Sequence, residues 1–458
     1  MTQRYFGTDG IRGKANSEAM NAELAIKLGM AAGYYFLNNT GRANERRPKV
    51  VIAKDTRLSG YLLEPALTAG FIAVGMDVIL LGPLPTPAVA MLTRSMRADL
   101  GVMLSASHNP YDDNGIKLFD PYGEKLTDKA EADIEALMHQ EPSRLRTGSD
   151  TLGRARRIED ASGRYIELIK RTFPQHLRLD GLRIVLDCAH GAAYKVAPVI
   201  LRELGAEVIA MGVEPNGFNV NDGCGSTHPE AMIEKVRLMR ADAGIALDGD
   251  ADRVVMCDEH GALLDGDQLL AMIATFWKQH DMFRTSTIVT THMSNLAFEH
   301  YLNSIGVKLI RAKVGDRYVK EEMKLHGCTL GGEQSGHILF SDYATTGDGL
   351  LAGLQVLAVM QQHKKPLSHC ATCYTPFPQK LTNLHFTKGA ISPLEDASVQ
   401  EAVRACEQTL GAHGRIYIRA SGTEPLLRVL VEGRDAGMVH DISTTLKTAI
   451  EASIARNV

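Results

Sequence analysis

The chain has 458 residues, 45% of them hydrophobic and 23% charged, enough for sizeable cores and, at roughly 150 residues per domain, about three domains. Fifty Lys and Arg against 54 Asp and Glu leave a net charge of −4, with no basic excess or tail to recruit nucleic acid or an anionic membrane surface. No apolar run approaches the ~20 residues of a membrane span and the opening MTQRYFGTDGIRG lacks the apolar stretch of a signal peptide, so the expectation is a cytoplasmic protein without a nucleic-acid or membrane partner.

Segments then alternate along the chain. KVVIAK (Lys49–Lys54) predicts a strand, 61–75 a helix, 77–82 a strand, 88–96 a helix after the loop PLPTP, and 101–107 (GVMLSAS) a strand. Strand–helix alternation at this spacing predicts βαβ units and a mostly parallel sheet. The polar stretch 38–49 reads as an exposed connector and the turn-rich stretch 139–157 as a linker. The pattern restarts with a helix over 164–172, a strand over 182–187, a helix over 194–204, a strand over 207–212, a helix over 230–239 and a strand over 243–248. A third pass has a helix over 268–277, strands over 286–291 and 307–312 separated by helices, and the segment GGEQSGHILF (331–340). A long helix over 348–363 and a hinge-like KKPLSH follow, and the remainder, from about Cys370, with strands over 415–421 and 426–433 and terminal helices, is α+β in character. The seven cysteines, an odd number and scattered, suit reduced thiols. Cys370 and Cys373 form a C-x-x-C, but the second ligand pair that a zinc site usually needs is missing.

Four short motifs carry chemistry. In SASHNPYDDNGIK (105–117), Ser107, His108, Asn109 and Lys117 follow a hydrophobic strand, and the Asn-Gly reads as a turn. Ser107 is open to three readings, as a turn residue, a helix cap or a nucleophile, and the last needs a base, cation or metal beside it. In DGDADR (248–253), Asp248, Asp250 and Asp252 alternate, and carboxylates so spaced in a tight loop converge on one hard cation such as Mg2+ or Ca2+. An EF-hand is excluded: Arg253 stands where that loop needs glycine, and the flanks are strands, although Glu259 falls at the twelfth position. A solvated acidic turn is the plain alternative. In GGEQSGH (331–337), Glu333, Ser335 and His337 offer partners for sugar hydroxyls, on glycines that let a ligand approach the backbone. In RASGTEPLLRV (419–429), Arg419, Ser421, Gly422, Thr423 and Arg428 can cradle a phosphate, the alternative being a β-turn with surface arginines; the Walker A spacing is absent. Together they suggest phosphoryl transfer, with a serine nucleophile, a divalent metal, a sugar loop and a separate phosphate cradle.

With SASHNP, DGDADR, GEQSGH and RASGTEP in one order over essentially the whole chain, the sequence resembles the α-D-phosphohexomutase superfamily, and FGTDGIRG (Phe6–Gly13) with the SASHNPYDDNGIK context is most similar to its bacterial members acting on glucosamine phosphate. The resemblance implies an α/β fold of three similar α/β domains, 1–157, 158–257 and 258–368, plus a smaller C-terminal α+β domain, 369–458, around a central cleft, each lending one motif. It implies a phosphoryl group on Ser107, Mg2+ held by Asp248, Asp250, Asp252 and a phosphoserine oxygen, and a sugar 1,6-bisphosphate as intermediate and primer. The implied reaction interconverts glucosamine 6-phosphate and glucosamine 1-phosphate, on the route to UDP-N-acetylglucosamine, with a small-molecule hexosamine phosphate as partner and the oligomeric state left unassigned. Lys117, His108 and His337 are then candidates for proton transfer, Arg12 and Arg253 for stabilising phosphoryl charge, Glu333 and Ser335 for the sugar hydroxyls, and Arg419, Ser421, Gly422, Thr423 and Arg428 for the phosphate that is not reacting. Rival readings are a sibling mutase for mannose or glucose phosphates, a non-catalytic sugar-phosphate sensor, and a metal-dependent phosphatase. Three residues depart from the superfamily pattern: Ala251 stands for a glycine, a small change if its φ is negative, His190 for an asparagine, and Ala420 for a lysine.

Overall fold

The computed structural model describes residues 5–7, 9–39, 47–386, 392–420 and 426–456. The first sheet is built by β1 (Ile11–Lys14), α1 (Ala22–Asn39), β2 (Lys49–Lys54), α2 (Gly60–Ala73), β3 (Asp77–Pro83), α3 (Thr86–Ser95), β4 (Leu100–Leu104), β5 (Asp113–Phe119), α4 (Asp128–Met138) and β6 (Ala155–Arg157). Its strand order is β1-β5-β4-β2-β3-β6, with β4, β2, β3 and β6 parallel and β5 and β1 antiparallel. β4 is buried on both faces, which is why it reads as an unbroken apolar run. The expected Asn-Gly turn is not a turn: Asn114 and Gly115 lie inside β5, where the Asn114 side chain donates to Ser59 Oγ and Gly115 packs against the Ser105 carbonyl. The 139–157 stretch ends as the edge strand β6 rather than as a free linker. Helix α1, unforeseen in the sequence reading, buries Leu24, Leu28, Ala32 and Phe36 at intervals of four.

The second unit comprises α5 (Ala161–Thr172), β7 (Arg183–Asp187), α6 (Val196–Glu203), β8 (Glu207–Met211), α7 (Glu230–Met239), β9 (Ala243–Leu247), β10 (Val254–Asp258) and β11 (Leu263–Leu264), with sheet order β11-β10-β9-β7-β8. The expected boundary at 257/258 falls inside β10, because β10 and β11 pair antiparallel and complete this sheet. The third comprises α8 (Gly266–Gln279), β12 (Thr287–Thr291), α9 (Leu296–Ser304), β13 (Lys308–Ala312), α10 (Asp316–His326), β14 (Leu330–Gly332), β15 (Ile338–Phe340), α11 (Gly349–His363) and α12 (Leu367–Cys370), in the order β13-β12-β14-β15. In the tail, β16 (Gln379–His385), α13 (Ala397–Leu410), β17 (Gly414–Ala420), β18 (Leu426–Gly433) and α14 (Ala436–Arg456) form an antiparallel sheet, β16-β18-β17, backed by helices.

One design recurs. In each α/β unit a parallel strand is followed by an antiparallel neighbour, β4 by β5, β9 by β10 and β14 by β15, and each connection carries one motif. The three mostly parallel sheets thus turn antiparallel at the strand that follows each motif, and the fourth motif joins the antiparallel strands β17 and β18. A continuous apolar core runs from Val51 to Ala371 through all three α/β units, with α11 buried from Gly349 to Met360, whereas the tail has its own core around Leu427, Val431 and Leu446. The tail meets the third unit instead through polar groups: Arg415 donates to the carbonyls of His292 and Ser294, and buried Glu432 accepts from Leu296 N–H. Among the described residues, no helix is long and apolar enough to cross a membrane.

Candidate active site

Ser107 leaves the C-terminal end of β4 in a left-handed conformation, φ +53°, which costs a non-glycine residue about 1–2 kcal/mol. Its surroundings over-determine that backbone. The buried Arg57 guanidinium donates to the carbonyls of Ser107 (3.0 Å), Asn109 (2.8 Å), Asp113 (3.0 Å) and Pro110, and is itself fixed by Asp55 at 2.7 Å. Ser105 Oγ donates to Asp55 and accepts Ser107 N–H, while Asn221, from the second unit, donates to the Ser107 carbonyl at 2.9 Å. No helix follows Ser107, so a cap has nothing to cap. Its hydroxyl donates instead to Asp248 Oδ2 at 2.6 Å, across the junction of the first two sheets. A Cβ at Gly249 would lie 2.6 Å from the Ser107 carbonyl oxygen, so the two loops meet this closely only with glycine there.

Asp248, Asp250 and Asp252 are buried between β9 and β10, with ligand oxygens all within 4.8 Å of one another. Lys117 on β5 reaches in from the first sheet, its Nζ 2.8 Å from Asp250 Oδ2, 3.3 Å from Asp9 and 3.4 Å from Asp252. Burial, then the charges of Asp252 and Asp250, push Asp248 well above the ordinary carboxylate range. Burial works the same way on Asp252, but Lys117, His337 and Arg253 outweigh it and hold that carboxyl well below the range. Asp250 Oδ1 and Asp252 Oδ1 are sealed from solvent without a hydrogen-bond donor among the described residues. Crowded carboxylates with orphaned hard oxygens, beside a serine hydroxyl, fit a small divalent cation and not a soft one. Ala251 has φ +58°, so the residue that replaces a glycine sits where glycine is favoured and carries strain. His190, at φ +49°, also occupies a left-handed position, of the kind asparagine tolerates well.

A basic rim surrounds this centre. Arg12 on β1 lies opposite Gly115, where a Cβ would meet the Ser105 carbonyl at 2.5 Å, and its guanidinium pairs with Asp9. Arg253 stands 3.8 Å from Asp252, and the Nε atoms of Arg12 and Arg253 lack hydrogen-bond acceptors among the described residues. Burial, then Arg253 and Arg12, pull His108 down to about 4, so its imidazole is neutral near pH 7. For His337, burial opposes the charged ring, but Asp252, Asp316 and Glu333 prevail and raise its pKa. Lys117 shows the same balance: burial opposes its charge, and three carboxylates raise its pKa well above the ordinary value, which keeps it an ammonium.

The third loop closes from the far side. A Cβ at Gly336 would lie 1.9 Å from the Val254 carbonyl oxygen, so this loop rests directly on β10. Glu333 accepts Gly315 N–H at 3.0 Å and Ser335 Oγ–H at 3.3 Å, and Ser335 is exposed. On the tail, Arg419 and Arg428 are direct cross-strand partners, both Nε atoms buried and without acceptors among the described residues; burial, then Arg428, lower the Arg419 pKa. Like charges placed opposite each other in a ladder are unfavourable, and an anion between them relieves the conflict. Ser421, Gly422 and Thr423 lie outside the described residues.

The structure therefore brings Ser107, His108, Lys117, Arg12, Asp248, Asp250, Asp252, Arg253 and His337 into one linked cluster at the junction of three sheets, with Glu333 and Ser335 on the loop beside it. Sequence reasoning passed over Asp9, Lys125, Asp316, Thr86, Arg57 and Asn221. Lys125 joins Asp9 of the first unit to Asp316 of the third, at 2.6 Å from the latter, and Thr86 Oγ donates to Asp250 at 2.5 Å. Asp9 was within sight, in FGTDGIRG; Arg57 follows strand KVVIAK at the sheet edge where α/β folds assemble their sites.

Models of the four domains of the phosphoglucomutase/phosphomannomutase family match the chain in order: alpha/beta/alpha domain I over residues 3–145, domain II over 163–261, domain III over 265–377 and the C-terminal domain over 381–448. The phosphoglucosamine mutase of Paramagnetospirillum magneticum is 60% identical over 96% of each chain, and that of Parvibaculum lavamentivorans 57% identical over 99% of this chain and 100% of that one. A phosphoglucomutase/phosphomannomutase family protein from Burkholderia thailandensis is similar in structure with TM-score 0.81 at 23% identity, over 99% of this chain and 98% of that one. The N-acetylphosphoglucosamine mutase of Aspergillus fumigatus, solved with GlcNAc-6P and magnesium, gives 0.67 at 17% identity, over 98% and 96%. At such identities the likeness of the two solved structures is one of fold.

Proposed function

The chain belongs to the phosphoglucomutase/phosphomannomutase family, and from that premise we propose that it is a phosphohexomutase interconverting glucosamine 6-phosphate and glucosamine 1-phosphate. The observation that carries the mechanism is the 2.6 Å contact of Ser107 Oγ with Asp248, which joins the nucleophile of one sheet to the acidic loop of another. The amino-sugar assignment is supported by the 60% and 57% identical relatives.

Phosphoserine 107 gives its phosphoryl group to the free 1-hydroxyl of glucosamine 6-phosphate: the serine Oγ–P bond breaks, the sugar O1–P bond forms, and the hydroxyl proton passes to a base. His108, its Nδ1 buried and without a partner among the described residues, has a free ring nitrogen for that proton, while Lys117, held as an ammonium by three carboxylates, supplies positive charge. The 1,6-bisphosphate turns over in the cleft, its O6–P bond breaks as the Ser107 Oγ–P bond forms, the base returns its proton to O6 as the serine hydroxyl gives one up, and glucosamine 1-phosphate leaves. Arg12 and Arg253 spread the phosphoryl charge, Glu333 and Ser335 hold the hydroxyls, and Arg419 and Arg428 grip the idle phosphate in either orientation. Mg2+ held by Asp248, Asp250, Asp252 and a phosphoserine oxygen would neutralise charge on the transferring group. His337, whose Nε2 accepts Gly347 N–H at 3.2 Å and whose Nδ1 lies 3.7 Å from Asp252, serves better to steady that carboxylate electrostatically than as a mobile base.

Each domain of this reading lends one motif, with the expected division near 157 kept, the middle one moved beyond Leu264 and the last moved beyond α12. All seven cysteines are unpaired, which supports a reducing compartment such as the cytoplasm. The test is a 31P NMR assay with Mg2+ and a trace of bisphosphate primer, offering glucosamine, glucose and mannose 6-phosphates separately. Fastest 1-phosphate formation from the glucosamine ester is expected; preference for another sugar overturns the substrate assignment, and release of inorganic phosphate overturns the mutase.

A further inference from the structure

Nothing in the acidic loop or the phosphate arginines distinguishes an amine from a hydroxyl on the sugar. We propose that Asp316 is a specificity-determining residue whose carboxylate takes the ammonium of the amino sugar, an inference that rests on the amino-sugar reading above. Asp316 is the first residue of α10 and directly follows Gly315, whose φ of +127° demands glycine and whose N–H donates to Glu333 Oε1 at 3.0 Å. That bond seats Asp316 against the loop that offers partners to the sugar hydroxyls, where the neighbouring ring substituent must lie.

Its side chain keeps 16% of its surface open, whereas those of Asp250 and Asp252 keep 0% and 6%. Oδ2 accepts from Lys125 Nζ at 2.6 Å and lies 3.5 Å from His337 Nε2; Oδ1 accepts Arg317 N–H at 2.8 Å. A carboxylate offers about four acceptor sites, so Asp316 has room for a further donor. Lys125 is already an ammonium shared between Asp316 and Asp9, which demonstrates the chemistry the place accepts. Asp9 is occupied by Arg12 and Lys117 as well, so of the two carboxylates that Lys125 joins, Asp316 is the one with capacity to spare. An acid at a helix N-terminus also stabilises the helix, and a role confined to that would affect all sugars alike. A charged donor bonds a carboxylate about twice as strongly as a hydroxyl, which gives the amino sugar its advantage.

The experiment is calorimetry with Mg2+ on Ser107→Ala and on Ser107→Ala/Asp316→Asn, titrating glucosamine 6-phosphate and glucose 6-phosphate into each; Asn keeps the shape and the helix start. The second substitution should weaken the glucosamine ester about tenfold more than the glucose ester, and Asp316→Glu should recover part of that difference. Equal losses for both esters, or no loss, would overturn the proposal, as would equal affinities of Ser107→Ala for the two. Wild-type turnover of glucosamine 6-phosphate, measured in parallel, tests the underlying reading separately: turnover without an Asp316 effect sinks only this inference.

Discussion

Replacing Arg428 by Gln should improve or preserve stability while damaging function, a combination that distinguishes a binding arginine from a structural one. Arg428 and Arg419 face each other across the β17–β18 ladder with Nε atoms unpartnered among the described residues. Like charges so placed cost roughly 0.2–1 kcal/mol, so losing one should leave the melting temperature unchanged or raise it by about 1–2 °C. A phosphate gripped by that guanidinium loses a charge-assisted hydrogen bond worth about 1.5–3 kcal/mol, which is about 10- to 150-fold in affinity. Because the same cradle serves the idle phosphate in both orientations, the rise in KM should appear for glucosamine 6-phosphate and glucosamine 1-phosphate alike. Steady-state kinetics in both directions and a thermal melt suffice. A variant that melts several degrees lower with KM unchanged would refute the reasoning, because the pair would then be holding the tail together.

Ser107→Ala should abolish turnover while the melting curve stays within a degree or two of wild type; near-normal activity would remove the phosphoserine from the mechanism. Asp250→Asn leaves Lys117 with a weaker partner and the acidic loop with one fewer charge, so Mg2+-dependent activity should fall at least a hundredfold, and full activity would contradict the metal assignment. Asp348 caps α11 and accepts from the buried Tyr165 hydroxyl, and burial pushes its carboxyl up to about 6. The folded protein therefore keeps this proton while the unfolded chain loses it near pH 4, and the benefit present below that pH is lost as pH rises through about 6. Asn preserves the cap, so Asp348→Asn should be more stable than wild type at pH 7.5 by up to about 3 kcal/mol, with the gap closing toward pH 4. Parallel stability profiles from pH 4 to 8 would show that Asp348 pays no such cost.

The parallel strands and the acidic loop were legible because their signals are local. KVVIAK and AGIALD are short apolar runs between turn signals, and three carboxylates at alternate positions have few other uses. What escaped was whatever depends on distant pairing. The Asn114–Gly115 dipeptide carries a strong turn signal, yet β1, a hundred residues earlier, recruits it into β5, where the absence of a side chain lets Arg12 cross. Lys125 and Asp316 were unremarkable apart, since their meaning lies in a contact between two units. Lys117 was legible as a site residue but not as an ammonium, a property set by Asp9, Asp250 and Asp252 together. Ala251 is a small change only if its φ is negative, and backbone torsions are beyond what a motif reveals.

The most direct test of the central claim follows one phosphoryl group. Enzyme carrying 32P on Ser107, freed of excess primer, is mixed with an equivalent of unlabelled glucosamine 6-phosphate and quenched at intervals. The label should leave Ser107 and appear first in the bisphosphate and then in the sugar monophosphate, with none as inorganic phosphate. Label that stays on the protein, or that emerges as inorganic phosphate, would contradict transfer through phosphoserine 107.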